Sequence, residues 1–365
     1  MITVLLLIAM VITGFFAFMA HPKFGKKPSG ARLELIKSSP HYRDGKFQNI
    51  HHTPNFTEGH NMLSVMYNFF LRRHPGRVPK DPIPSMKTDL LNLAPDKDIL
   101  VWLGHSSYFI HLDGKKILVD PVFSGNASPV EGSNKSFKGS DQYTVDDLPE
   151  IDYLFITHDH YDHVDYETII SLKDKTKKVI CGLGVGSHFE YWGYPADRIT
   201  EKDLDQKIVL ENGFTVHTAT SRHFSGRSFS RNNTLWLSYI LQSPTMKIYI
   251  GGDSGYDTHF AEIGAKYGPF DLVLLDNGQY NAQWKYIHMV PAEVLQAAAD
   301  LKGRRLMPVH SGKFAMSDHP WAEPLIQISE LNKSVNIPLV TPLIGEAVSL
   351  KDESQVFSQW WLGVE

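Results

Sequence analysis

Three histidines and three aspartates fall within the nine residues Thr157 to Asp165, THDHYDHVD. Imidazole and carboxylate groups at this density form the donor set of a divalent metal, and a metal so held supplies hydrolytic chemistry. The alternative is a solvated polar loop, which suits a lone histidine better than three with interleaved acids. His158 and His160 stand two apart, so on an extended segment they share a side and one ion accepts both. Asp162 and His163 leave the following turn in another direction, which suits a second ion close by.

Further candidate ligands stand at the ends of apolar, strand-like runs. TVHTATSRHFSG offers His217 and His223, IYIGGDSGY places Asp253 behind two glycines, and RLMPVHSG ends on His310. Taken alone, Asp253 reads equally well as a turn residue. Asp120, in ILVDP, is either an Asp-Pro turn or a hydrogen-bonding support for a ligand histidine. GHSSY, at 104 to 108, lacks the closing glycine of a G-x-S-x-G elbow, so it is read as strand and loop beside the site and not as a serine nucleophile. GLGVG, at 182 to 186, has no acidic residue in a fitting βαβ unit and is not read as a dinucleotide loop. His105, His111, His188, His217, His259 and His319 read as surface or hydrogen-bonded structural histidines.

Aiming several side chains at one point takes rigid strands. From Asp98 onward the chain is a series of short β-like runs: ILVWLGHSSYFIHL, KKILVDP, IDYLFIT, KKVICGL, TLWLSYILQS, MKIYIGGDS, FDLVLLD, RRLMPVH and IPLVTP. Asp113-Gly114 and Asn212-Gly213 predict hairpins. Helical patterns lie between the runs in DYETIISLKDK, SHFEYWG, DTHFAEIGAKYG, PAEVLQAAADLKG and WAEPLIQISELNK. Hairpins first and strand-helix alternation later predict mixed sheets covered by helices, an α/β or α+β layered fold. Residues 98–350 read as one catalytic domain and 351–365 as a tail.

The chain has 365 residues, 42% hydrophobic and 21% charged, a globular balance with room for a sizeable core. Its formal net charge of −4 gives no general attraction to nucleic acid. The single cysteine, Cys181, excludes an internal disulfide framework and a cysteine-based zinc finger, and fits a reducing compartment. Met1 to Ala20 carries no charged side chain and is about the ~20 residues that cross a bilayer, so a membrane anchor is expected. A cleaved signal peptide is the alternative, but no basic stretch precedes the apolar run and Phe18 stands where cleavage wants a small residue. Lys23, Lys26, Lys27, Arg32 and Lys37 follow the span, which places the catalytic domain on the cytoplasmic side. Residues 21–97 read as a linker and embracing extension. Within them MLSVMYNFFL, followed by Arg72 and Arg73, is expected as a core helix in preference to a membrane-surface one.

H-x-H-x-D-H, a distant histidine, an aspartate in G-D-[ST]-G and a last histidine together resemble the metallo-β-lactamase superfamily, whose fold is an αββα four-layer sandwich. Within residues 98–350, VWLGHSSYFI, ILVDPVFSGNASP, GGDSGYDTHF, YIHMVPAEV and MPVHSGKF are similar to the branch of N-acyl-phosphatidylethanolamine-hydrolysing phospholipase D. The resemblance implies two Zn²⁺ ions, one on His158, His160, His223 and Asp253, the other on Asp162, His163, Asp253 and His310. Asp253 is then shared; manganese and iron suit the same donors. It implies a hydroxide between the ions attacking phosphorus in a phospholipid or other phosphodiester, with Asp162 and His288 as the candidate catalytic residues. From the residues alone His288, in YIHMVP, reads as structural at a helix entry. The alternative substrate for the same centre is a small soluble lactone or ester. A non-enzymatic module with a relict site is a third reading, against which the complete ligand set stands.

Overall fold

In the computed structural model every residue is described except Met1 and Arg73, with residues 69–71 described by their backbone alone; the first residue of the expected anchor and the second arginine after MLSVMYNFFL thus lie outside the described residues. The chain begins with α1 (Ile2–Met19), α2 (Gly30–Lys37), the small hairpin β1 (Tyr42–Arg43) and β2 (Lys46–Phe47), and α3 (Met62–Leu71). Then come β3 (Ile99–Trp102), β4 (Tyr108–Leu112), β5 (Lys115–Val119), β6 (Ile151–Ile156), α4 (Tyr166–Leu172), β7 (Thr176–Gly182), α5 (Gly186–Tyr191) and β8 (Ile199–Lys202). The second half holds β9 (Lys207–Val209), β10 (Thr215–Ala219), β11 (Ser238–Gln242), β12 (Lys247–Ile250), α6 (His259–Tyr267) and β13 (Leu272–Asp276). It closes with α7 (Pro291–Asp300), β14 (Leu306–Val309), α8 (Glu323–Val335) and β15 (Ala347–Ser349).

Two large sheets result, one in the order β15-β3-β4-β5-β6-β7-β8 and the other β14-β13-β12-β11-β10-β9. Period-two alternation sorts their side chains into layers. Leu100, Trp102, Tyr108 and Ile110 point inward to meet Tyr239 and Ile248 of the facing sheet. Their neighbours Val101 and Phe109 face out, in the layer that holds Ile169 of α4 and Phe189 of α5. Tyr249 and Val273 do the same on the far side, beneath Phe260, Val294 and Ile328 of α6, α7 and α8. Helices therefore cover both outer faces, giving four layers, and the expected sandwich is present.

Both predicted hairpins form: Leu112 pairs with Lys115 around Asp113-Gly114, and β9 pairs antiparallel with β10 across Asn212-Gly213. ILVWLGHSSYFIHL is not one run. It folds back between β3 and β4, with His105 at φ +53° in the turn. TLWLSYILQS yields a shorter strand than its pattern predicts, because Leu235 N–H donates to Leu183 O (2.8 Å) and Leu237 N–H to Thr157 O (3.0 Å). That stretch thus bonds to the strand ends of the other sheet. IPLVTP makes only an isolated bridge, Leu339 to Leu306. The core reading of MLSVMYNFFL fails for the described side chains of α3: the helix forms, capped by Asn61, but Met62, Leu63, Met66 and Tyr67 are exposed. The last fifteen residues pack more closely than a tail, with Trp360 and Trp361 buried in the inter-sheet core.

Phe155, fully buried on β6 between the sheets, leads directly into the histidine-rich loop. Truncation to Phe155→Ala is expected to cost about 3–5 kcal/mol in urea unfolding. A loss below about 1 kcal/mol would contradict the inter-sheet packing described.

Candidate metal centre

The histidine-rich loop begins where β6 ends, and Asp253 and His310 follow the ends of β12 and β14. His223 stands four residues beyond β10. All of them gather at one edge of the sandwich, where loops from both sheets meet. The close approach explains a glycine of GGDSG: Gly252 adopts φ +60°, and a Cβ there would lie 2.8 Å from Thr157 Cβ. Any side chain at 252 would push Asp253 away from the loop it faces.

His158 Nε2 lies 2.9 Å from His160 Nδ1, which in turn lies 3.2 Å from His223 Nε2. Beside this trio stands a second group, Asp162, His163, His310 and His105, each offering a donor atom within 4.8 Å of the others. Asp253 lies between the two groups. Its Oδ2 is 3.7 Å from His158 Nε2, 3.6 Å from His223 Nε2 and 3.2 Å from His163 Nε2. Its Oδ1 is 3.2 Å from His310 Nδ1. All seven sequence-predicted ligands therefore converge, while His217 stays behind on β10 against Tyr267.

Zinc bonds of about 2.0–2.1 Å at tetrahedral angles hold ligand nitrogens about 3.3 Å apart, so the His158–His160–His223 spacing fits one ion. Hydrogen bonding alone does not account for this packing, since a neutral imidazole has one donor and one acceptor. Among the described residues, His163 Nε2, His310 Nε2 and Asp253 Oδ1 are buried with no hydrogen-bond partner. Such orphans cost free energy unless something binds them. Burial pushes the His158, His223 and His310 imidazoles well below the ordinary range, and His160 down to about 4. Their neutral form is the one that ligates. Burial also opposes charge on His163, but Asp253, Asp162 and Asp120 outweigh it and raise that imidazole well above its usual value. Nitrogen and oxygen donors without thiolate, unmet and carboxylate-rich, fit divalent metal at both groups.

Supporting side chains surround the ligands. Asp120, at φ +41°, accepts from Thr157 N–H (2.9 Å) and Thr157 Oγ1–H (2.6 Å), and from the ring of His163 (Nδ1 to Oδ2, 2.8 Å). Of its two sequence readings, the support of a ligand histidine is the one realised. His105 is neither superficial nor fully satisfied: it is completely buried, with Nε2 3.0 Å from Asp162 Oδ2 and Nδ1 unpartnered. The next residue in GHSSY, Ser106, has its Oγ 2.8 Å from His310 Nδ1. His288 joins the cluster beside His223 and Asp253, its Nδ1 2.6 Å from Asp276 Oδ2. Burial pushes the Asp276 carboxyl up to about 7, and Asp276 raises the His288 imidazole despite its burial. The pair holds a proton between them. Asp276 carried the same strand-end-then-acid signal as Asp120 and was missed, as was the role of His105.

The cluster floors a cavity of about 640 Å³ with Phe224, Trp284, Ile287 and Met316 on its walls. Arg231 also lines it, its guanidinium 4.9 Å from the Phe224 ring centre, and no carboxylate pairs with it among the described residues. Replacing the supporting carboxylate, Asp120→Asn, is expected to weaken metal binding about 10- to 100-fold in competition with a chromophoric chelator. Unchanged affinity would show that Asp120 does not orient His163.

The beta-lactamase superfamily domain model matches residues 115–311, more than half of the chain. An uncharacterized protein of Mycobacterium tuberculosis is 36% identical over 333 residues, 90% of this chain and 88% of that one. N-acyl-phosphatidylethanolamine-hydrolyzing phospholipase D 1 of Caenorhabditis elegans is 29% identical over 248 residues, 63% of this chain and 68% of that protein. A solved metallo hydrolase from the archaeon Ignicoccus hospitalis shares the fold, with a TM-score of 0.53 at 18% identity over 69% of this chain and 97% of its own. With this family match and the clustered donors, the chain belongs to the metallo-β-lactamase superfamily, among its metal-dependent hydrolases.

Proposed function

We propose that the chain is a dinuclear zinc phosphodiesterase that cleaves an N-acylated phospholipid in the manner of a phospholipase D, releasing phosphatidic acid. The observation that carries this reading is the joint character of the cavity: metal donors at its floor, apolar walls above them, and at its side the cation Arg231, which no carboxylate among the described residues pairs with. An anionic headgroup joined to acyl chains matches all three. The relationship to the nematode phospholipase D points the same way.

His158, His160 and His223 would hold one ion and Asp162, His163 and His310 the other, with Asp253 shared. Two divalent ions bound there would supply Lewis-acid stabilisation of phosphate oxygens and acidify a water towards neutrality. The chain's own groups do the rest. Arg231 holds the anionic headgroup, and the apolar walls keep bulk water from the acyl chains. His288, with Nδ1 fixed by Asp276, has Nε2 left to give a proton to the ethanolamine oxygen as its bond to phosphorus breaks. The attacking water's proton then restores His288, and the products are phosphatidic acid and an N-acylethanolamine.

The purified full chain, incubated with N-acyl-phosphatidylethanolamine and with a lactone panel, is expected to release phosphatidic acid; lactone turnover without it would overturn the proposal. Arg231→Gln is expected to raise KM for the phospholipid about tenfold, ~1.4 kcal/mol of binding, with a smaller change in kcat. An unaltered KM would remove Arg231 from headgroup binding.

A further inference from the structure

The cavity wall has one unusual member. Phe15, Phe18 and Met19, from the last turns of α1, line the same cavity as His160, Asp253 and His288. Phe15 packs 6.0 Å from Phe229 and Phe18 5.1 Å from Phe24, ring centre to ring centre. The rest of α1 touches little: none of its residues is buried, and it is uncharged and long enough to cross a membrane. A helix apolar on every side belongs in lipid. One end of the expected anchor is thus also a wall of the site.

This placement is held firmly. Arg227, buried, donates from Nε (3.0 Å) and Nη2 (2.8 Å) to Lys23 O just past α1. From Nη1 it also donates to Asp159 O (3.0 Å) and Val164 O (2.6 Å), both in the metal loop. A second tie runs from Lys26 N–H to His188 Nδ1 (2.9 Å) and from His188 Nε2 to Asp159 Oδ2 (3.1 Å). Trp192 Nε1–H donates to Pro22 O (2.8 Å). Gly25, at φ +69°, is required here, since a Cβ would meet His188 Nδ1 at 2.1 Å. The exit of α1 and the metal loop are therefore bonded to the same side chains, Arg227 and His188.

If α1 spans the bilayer, its end lies at the interface, where Lys23, Lys26 and Lys27 meet the headgroups. The cavity beside it must open at that level. The surface around the opening agrees. Met62 and Val65 of α3 line the cavity, while Leu63, Met66 and Tyr67 stay exposed, and Phe229 is 81% exposed. Apolar side chains left bare around an opening fit a lipid surface better than water.

We propose that Phe15, Phe18, Met19 and Phe229 form an acyl-chain portal at the bilayer surface, through which a lipid passes sideways from its leaflet to the metal centre. Its chain then exchanges one apolar medium for another without crossing water. The inference rests on the phospholipid reading above and adds to it the route of entry and the residues that recognise the chain.

Two measurements on the full chain in phosphatidylethanolamine–phosphatidylglycerol vesicles test it. A nitroxide at Phe229→Cys is expected to be reached by oxygen and shielded from a water-soluble nickel chelate, and one at Val209→Cys, exposed on the edge strand β9, to show the reverse; equal chelate access at both overturns the portal. Cys181 is buried and out of reach of the label. In the second, Phe15→Ala/Phe18→Ala/Met19→Ala is expected to lower the ratio of long-chain to short-chain turnover at least tenfold, for phosphodiester and carboxyl-ester pairs alike. Met10→Ala, exposed on the same helix and not part of this cavity's lining, is expected to keep the ratio. Phosphodiester turnover with an unchanged ratio would sink the portal and leave the phosphodiesterase standing. Turnover of the ester pair alone, with the ratio lowered, would do the opposite. If neither pair turns over, the nitroxide result decides.

Discussion

The buried carboxylate of Asp253 is the interaction on which the rest depends. It lies within 3.2 to 3.7 Å of nitrogens from His158, His163, His223 and His310, on loops that follow strands of both sheets. Burial pushes its carboxyl upward, yet the imidazoles, His163 foremost, outweigh that and hold it well below the usual carboxylate range. A charge so deeply buried is tolerated only where opposite charge meets it. A divalent metal bound there would supply that charge, at the edge where loops from the two sheets meet.

Accommodating this cluster shapes the backbone nearby. His105, Asp120 and His310 all adopt positive φ, a region that residues with a Cβ seldom occupy. Each stands where a strand gives way to a turn, and each aims a polar group at the centre. Strain gathered at such positions is characteristic of functional sites. The strands themselves remain regular, with their fully buried alternating side chains giving the rigidity that the turns exploit.

How much of this was legible in the sequence differs by feature. The ligands were, because H-x-H-x-D-H is dense enough to stand out and Asp253 and His310 end apolar runs. His105 was not, since ILVWLGHSSYFIHL carries an unbroken β-like pattern and only the backbone's reversal at Gly104 turns that histidine inward. Asp276 ends FDLVLLD much as Asp120 ends KKILVD, but its meaning comes from His288, twelve residues later and across a loop. The role of α3 was misread for a related reason. Its composition suits a core, and only its position at the cavity mouth shows why Met62 and Leu63 stand exposed. Arg227 gave no local signal at all, because its partners Lys23, Asp159 and Val164 are distant in the chain.

The most direct test of the central claim is anomalous X-ray scattering at the zinc edge from crystals of the metal-loaded chain. The account predicts two peaks about 3.5–4 Å apart, one among His158, His160 and His223, the other among Asp162, His163 and His310, with Asp253 between them. A single peak, or peaks remote from Asp253, would contradict it.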